Sequence, residues 1–177
     1  MNRSWEGISD MRRIIYAGIC ISAALVAMGQ AKSPALQGFE KLKALEGDWI
    51  DVDGIFGEKG KVAVTYRVTG AGHTVVETFP VGTAYEMVTV YHLDGNTLVL
   101  THYCTSNNQP RMSSKGLQGN ALMFDFAGGA NIDPATTSHM HGAKIEFVSA
   151  DEIKATWENW KNGKADHAAT FHVVRKR

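Results

Sequence analysis

His139-Met140-His141 is the part of this chain whose residue types and spacing point most directly to chemistry. On a strand, residues two apart face the same way and lie about 6.5–7 Å apart at the backbone, so two imidazoles can converge on one metal ion. A third ligand is then needed, and His102 or Glu77 on another strand is the candidate. Zinc suits such a donor set and would leave open positions for water or substrate. Without a metal, the same rings could orient an anion, act as acid–base groups, or simply line a polar rim. Haem on one interior histidine is a further alternative, although the chain has no Cys-x-x-Cys-His attachment motif. No cofactor is the favoured expectation, with zinc or haem as alternatives.

Other reactive residues carry weaker signals. Cys104 and His102 share strand parity but would be too far apart for the contact of about 3 Å that a nucleophile and its base require. Cys104 reads instead as a buried apolar residue. Glu77 shares parity with Val75 and Phe79, so it is either an inward acid with a raised pKa or an outward solvated one. Asn108, Gln109 and Arg111 follow in a polar segment that could bond a ligand carbonyl or carboxylate, or only fix its own backbone. Trp49, Trp157 and Trp160 lack interleaved basic residues and read as packing, not as a nucleic-acid stacking platform.

The elements that must position these groups are short strands. Leu36, Phe39, Leu42 and Leu45 recur at helical steps after Pro34, giving one amphipathic helix ended at Glu46-Gly47. From there to the C-terminus, alternating runs bounded by Gly, Asn and Asp recur about every ten residues, the rhythm of an all-β sandwich or barrel. Strands are expected at 48–53, 60–69, 73–79, 85–93, 96–104, 109–117, 120–126, 138–148, 152–160 and 166–175. Asp94-Gly95 is read as a type I′ hairpin turn, and 127–137 as the one long link. Ten sequential strands with short links favour an up-and-down antiparallel β-barrel, since closure removes both edges and leaves room for a small ligand. A two-sheet sandwich satisfies the same pattern.

Alternation sorts the walls. His139, His141, Ala143, Ile145 and Phe147 share one face, as do Ile153, Ala155 and Trp157, and Val62, Val64, Tyr66 and Val68. In the central hairpin Met87, Thr89, Tyr91, Leu98, Leu100, His102 and Cys104 are taken as inward, a choice that a one-residue slip would reverse. The expected ligand-binding set is Tyr66, Glu77, Met87, Tyr91, His102, Cys104, Asn108, Gln109, Arg111, Phe124, His139, His141 and Trp157. Its mixture of apolar and polar side chains suits a selective small-molecule pocket.

Gly47-Asp48-Trp49 after a short helix resembles the Gly-x-Trp start of lipocalin and fatty-acid-binding-like barrels. Glu86-Met87-Val88-Thr89-Val90-Tyr91-His92, Thr101-His102-Tyr103-Cys104 and Asn108-Gln109-Pro110-Arg111-Met112 are similar to a family of bacterial lipocalin-like domain proteins, over about residues 36–175. The resemblance implies a lipocalin-like barrel and no particular reaction.

Arg12-Arg13, the uncharged run Ile14–Met28 and Gly29-Gln30-Ala31 form the three parts of a secretory signal peptide, with Met11 as the expected true start. The 15-residue run is shorter than the roughly 20 residues of a membrane-spanning helix, so no stable anchor is expected after cleavage. The domain is then 32–177, periplasmic or secreted. Losing Arg3, Glu6, Asp10, Arg12 and Arg13 from 18 basic and 18 acidic residues leaves it near neutral, without a field to attract nucleic acid. Cys104 is then the sole cysteine, so an intrachain disulfide is excluded. The function expected is binding of a small hydrophobic or amphipathic ligand by a monomer or homodimer, with a metal- or haem-dependent barrel protein or enzyme using the His139/His141 pair as the alternative.

Overall fold

The computed structural model describes residues 31–55 and 59–177, and the leader expected over 1–31 lies outside the described residues but for Ala31. Ten strands close into one antiparallel barrel in which each pairs with its sequence neighbours and the last returns to the first. They are β1 (Gly47–Asp51), β2 (Val62–Thr69), β3 (Thr74–Phe79), β4 (Met87–Asp94), β5 (Thr97–Tyr103), β6 (Gln109–Ser114), β7 (Ala121–Ala130), β8 (His139–Ser149), β9 (Glu152–Lys161) and β10 (Lys164–Arg175). Closure is made by Trp49, Ile50 and Asp51 opposite Arg175, Val174 and Val173. The barrel, not the sandwich, is the solution adopted, and it removes both sheet edges.

Among the described residues one α-helix, α1 (Pro34–Lys43), precedes the barrel. Ser33 caps it by accepting the Leu36 N–H at 3.2 Å, and Pro34 occupies the first turn, where its missing N–H costs nothing. Ala35, Phe39, Leu42 and Leu45 are buried in the barrel core, while Leu36 stays half-buried. The face is therefore rotated toward Ala35 from the expected stripe, as a period of 3.6 requires. Gly38 lies against Leu98 and Leu122, so α1 plugs the end of the barrel where β5 and β7 begin. Gly116 permits that docking: a Cβ there would fall 2.1 Å from the Pro34 carbonyl carbon. The Leu117 N–H also donates to the Pro34 carbonyl at 2.9 Å.

Four local expectations are corrected. Asp94 pairs with Thr97, so the hairpin turn is Gly95-Asn96, with Gly95 (φ 58°) at the first central position, where type II′ turns take glycine. Leu93 thus faces Leu98 instead of Asn96, and Thr89 faces His102 instead of Leu100. The shift is even, so the inward face is unchanged. The two consecutive left-handed residues of a type I′ turn are Asn162 (φ 53°) and Gly163 (φ 71°). The expected link 127–137 is shorter, because β7 continues to Ala130 through Gly128 and Gly129. A side chain is not tolerated at Gly129, where a Cβ would meet the Gln109 carbonyl at 2.4 Å.

The remaining two corrections bear on the site. Pairing in β8 shifts between Met140 and Gly142, a bulge that leaves His141 as the extra residue. Alternation breaks there, and Met140 takes the inward place that parity had assigned to the histidines. Cys104 lies beyond the end of β5, half-buried in the following turn, where its N–H donates to the Asn108 carbonyl at 3.1 Å.

Candidate ligand-binding site

Four inward positions on four adjacent strands fall in one cross-strand row: Tyr66 opposite Glu77, Glu77 opposite Thr89, and Thr89 opposite His102. All four are buried. The Tyr91 hydroxyl donates to Glu77 Oε2 at 2.8 Å, and Thr89 Oγ1 lies 2.9 Å from His102 Nδ1. The row divides the barrel. On the α1 side, Trp49, Tyr66, Tyr91, Phe124, Leu98 and Leu100 fill the interior, with Tyr91 and Phe124 rings 5.8 Å apart.

On the other side the interior is hollow. A cavity of about 140 Å³ is walled by Phe79, Met87, Met140, Trp157, Ala169 and Phe171, with Glu77, Thr89 and His102 on its polar side. His167, largely exposed and 2.9 Å from Asp166, also borders it. The Phe79 and Phe171 rings stack at 4.5 Å, and His102 packs on Trp157 at 4.9 Å. Among the described residues no lysine or arginine borders the space.

Burial sets the electrostatics of the polar side. Desolvation raises the Glu77 pKa, opposed by hydroxyls of Tyr91, Tyr66 and Thr89 that favour the carboxylate. Desolvation pushes His102 down to about 4, so the ring is neutral near pH 7. Tyr66 and Tyr91 are raised well above the ordinary tyrosine value by burial and then by the Glu77 charge. The Tyr66 hydroxyl lies within reach of that charge but makes no close hydrogen bond, and His102 Nε2 likewise has no partner. An unpaired buried polar atom costs about 1–3 kcal/mol; among the described residues Asn108 Oδ1, beside the loops, is a third such atom, and His102 Nε2 is the one on a ring that borders the cavity.

Of the residues expected to bind a ligand, Glu77, Met87, His102 and Trp157 border the cavity. Tyr66, Tyr91 and Phe124 are packed beneath it. Asn108 is buried beside the loops and donates from Nδ2 to the Ser138 carbonyl at 2.8 Å. Gln109 accepts from Asn131 at 3.5 Å, and Arg111 pairs with Asp94 at 3.1 Å on the exposed surface. Those three, with Cys104, stand apart from the cavity. Sequence parity placed Thr89 inward, Phe79 on the face of Glu77, and His167, Ala169 and Phe171 on one face of their strand without assigning any of them a site role, and it put Met140 on the opposite face. Inward parity in β3 and β10 was the signal for Phe79, Ala169 and Phe171, whereas the bulge hid Met140.

His139 and His141 form a separate cluster. His139 Nδ1 donates to the Thr137 carbonyl at 2.8 Å, and its Nε2 lies 3.0 Å from His141 Nδ1. His141 is stacked between Trp160 at 3.7 Å and Phe126 at 4.8 Å. Desolvation and then the neighbouring His139 lower the His141 pKa, against Glu158 and Asp125. The set His102, His139 and His141 is not assembled: among the described residues no group of three His, Cys, Asp or Glu could hold a metal ion. No protein-family model and no curated protein matches the chain.

Proposed function

We propose that this chain is an exported, lipocalin-like barrel that holds a small, mainly apolar molecule in the hollow half of its interior. The observation that carries the reading is an apolar cavity whose polar side contains a buried histidine nitrogen without a partner. An empty apolar cavity of about 150 Å³ in another protein accepts benzene, so the space of about 140 Å³ here suits a body of one ring. Ordinary ligand pockets run from roughly 300 to 1,000 Å³, and a macrocycle such as haem does not fit this one. Native mass spectrometry of protein purified from its own host tests the proposal. A retained small molecule that is absent from an Ala169→Trp variant supports it; an identical adduct on both proteins places the ligand elsewhere.

A metal at His139 and His141 is the second reading, favoured by one observation. Two ring nitrogens lie 3.0 Å apart while a backbone carbonyl holds the outer nitrogen of His139, as in many metal-binding histidines. With two protein donors, the remaining positions would be water or substrate. Zinc titration of wild type against a His139→Ala/His141→Ala double variant tests it, and equal metal content rejects it.

A further inference from the structure

We infer that the cavity excludes anions, so that carboxylates and phosphates are rejected and an uncharged ring compound is taken. This rests on the cavity being a binding site and narrows the class of ligand that site takes.

Charge along the wall decides the selection. Among the described residues the wall carries no lysine or arginine, and its carboxyl, Glu77, offers an anion no positive charge whether protonated or ionised. The two imidazoles on the wall do not make up the deficit. His102 is buried, and desolvation pushes it down to about 4, so the ring is neutral near pH 7. His167, at the exposed rim, lies 2.9 Å from the Asp166 carboxyl. That bond holds Asp166 below the ordinary carboxylate value, so any charge on His167 is already matched by one of opposite sign. An anion thus meets one acid on the polar wall and another at the rim.

The rest of the wall is apolar. The Phe79 and Phe171 rings stack at 4.5 Å, and Trp157, Met87, Met140 and Ala169 complete the surface. A carboxylate moved against such groups loses its hydration and gains no counter-charge. An uncharged ring loses little hydration and gains the apolar contact. A fatty acid or benzoate is therefore disfavoured in this cavity, whichever nitrogen of His102 carries the proton.

Isothermal titration calorimetry at pH 7 with phenol, nitrobenzene and benzoate tests this. Nitrobenzene and benzoate share a planar shape with two terminal oxygens and no donor, so charge is what separates them. Nitrobenzene is expected to bind about a hundredfold more tightly than benzoate. Met140→Lys places an ammonium at a half-buried point of the wall and should narrow that ratio about tenfold. Circular dichroism matching that of wild type reports that the variant is folded. Where it does not match, Met87→Lys supplies the charge from another half-buried position. Benzoate equal to or tighter than nitrobenzene, an unchanged ratio in a folded lysine variant, or neither compound binding where phenol does, overturns the inference and leaves the cavity reading intact. Failure of all three to bind overturns both.

Discussion

Glu77 and His102 are two cross-strand steps apart in the same wall, and burial moves their pKa values in opposite directions. For His102, the folded ring resists protonation that the unfolded ring accepts below about 6.5. Its contribution to stability is therefore complete above pH 6.5 and lost as the pH falls toward 4. The full loss is on the order of 3 kcal/mol. His102→Phe should flatten this dependence, measured as urea midpoints at intervals between pH 4 and 7; parallel profiles for the two proteins would show that the ring is hydrated. Glu77 has the reverse sign. Its folded carboxyl holds a proton more tightly than the unfolded one, so stability falls as the pH rises above 4.5. Glu77→Gln should gain on wild type across that rise, and a constant difference would contradict the assignment. Period-2 parity made Met87, His102 and Trp157 legible as inward residues, while Glu77 stayed open between an inward and an outward reading that only the closed barrel decides. It failed for His141 because a bulge adds a residue, and for Cys104 because the strand has already ended.

The hairpins and the helix plug were readable as elements because turn residues and apolar periods are local properties. Their registers were less so, since Asp94-Gly95 and Gly95-Asn96 both satisfy the turn chemistry and only pairing across the sheet decides between them. Two glycines separate local from tertiary demands. Gly163 has φ 71° and its nearest neighbours lie at 3.8 Å, so Gly163→Ala should cost only backbone strain, about 1 kcal/mol. Gly116 has φ 103° and would drive a Cβ into the backbone of α1. Gly116→Ala should therefore cost several-fold more and loosen the helix. Thermal unfolding of both variants checks the order, and equal losses would mean that α1 is not seated on that link.

At the scale of the whole barrel, the closing seam is tied by one residue that sequence reading did not single out. Arg175 donates to the Ala44 and Glu46 carbonyls at 2.8 Å, pairs with Asp151 at 3.0 Å and lies over the Trp49 ring at 4.6 Å. It joins the helix exit, β1 and β10 in one contact set. Nothing local to the sequence reveals it, because the Ala44 and Glu46 carbonyls it joins lie about 130 residues away along the chain. Arg175→Ala should cost about 2 kcal/mol in denaturant unfolding; a loss within error of zero would assign closure to the strand ladder alone.

The same closed wall divides the interior into a packed half and a hollow half, and the proposed function depends on that division. Four methionines among the described residues report on it: Met87 and Met140 border the cavity, Met112 is buried apart from it, and Met123 is exposed. The most direct test is a phenol titration of protein labelled with ¹³C at the methionine methyls, followed by NMR. The account predicts concerted shifts of the Met87 and Met140 resonances with Met123 unmoved. Shifts confined to Met123, or none at saturating phenol, would contradict it.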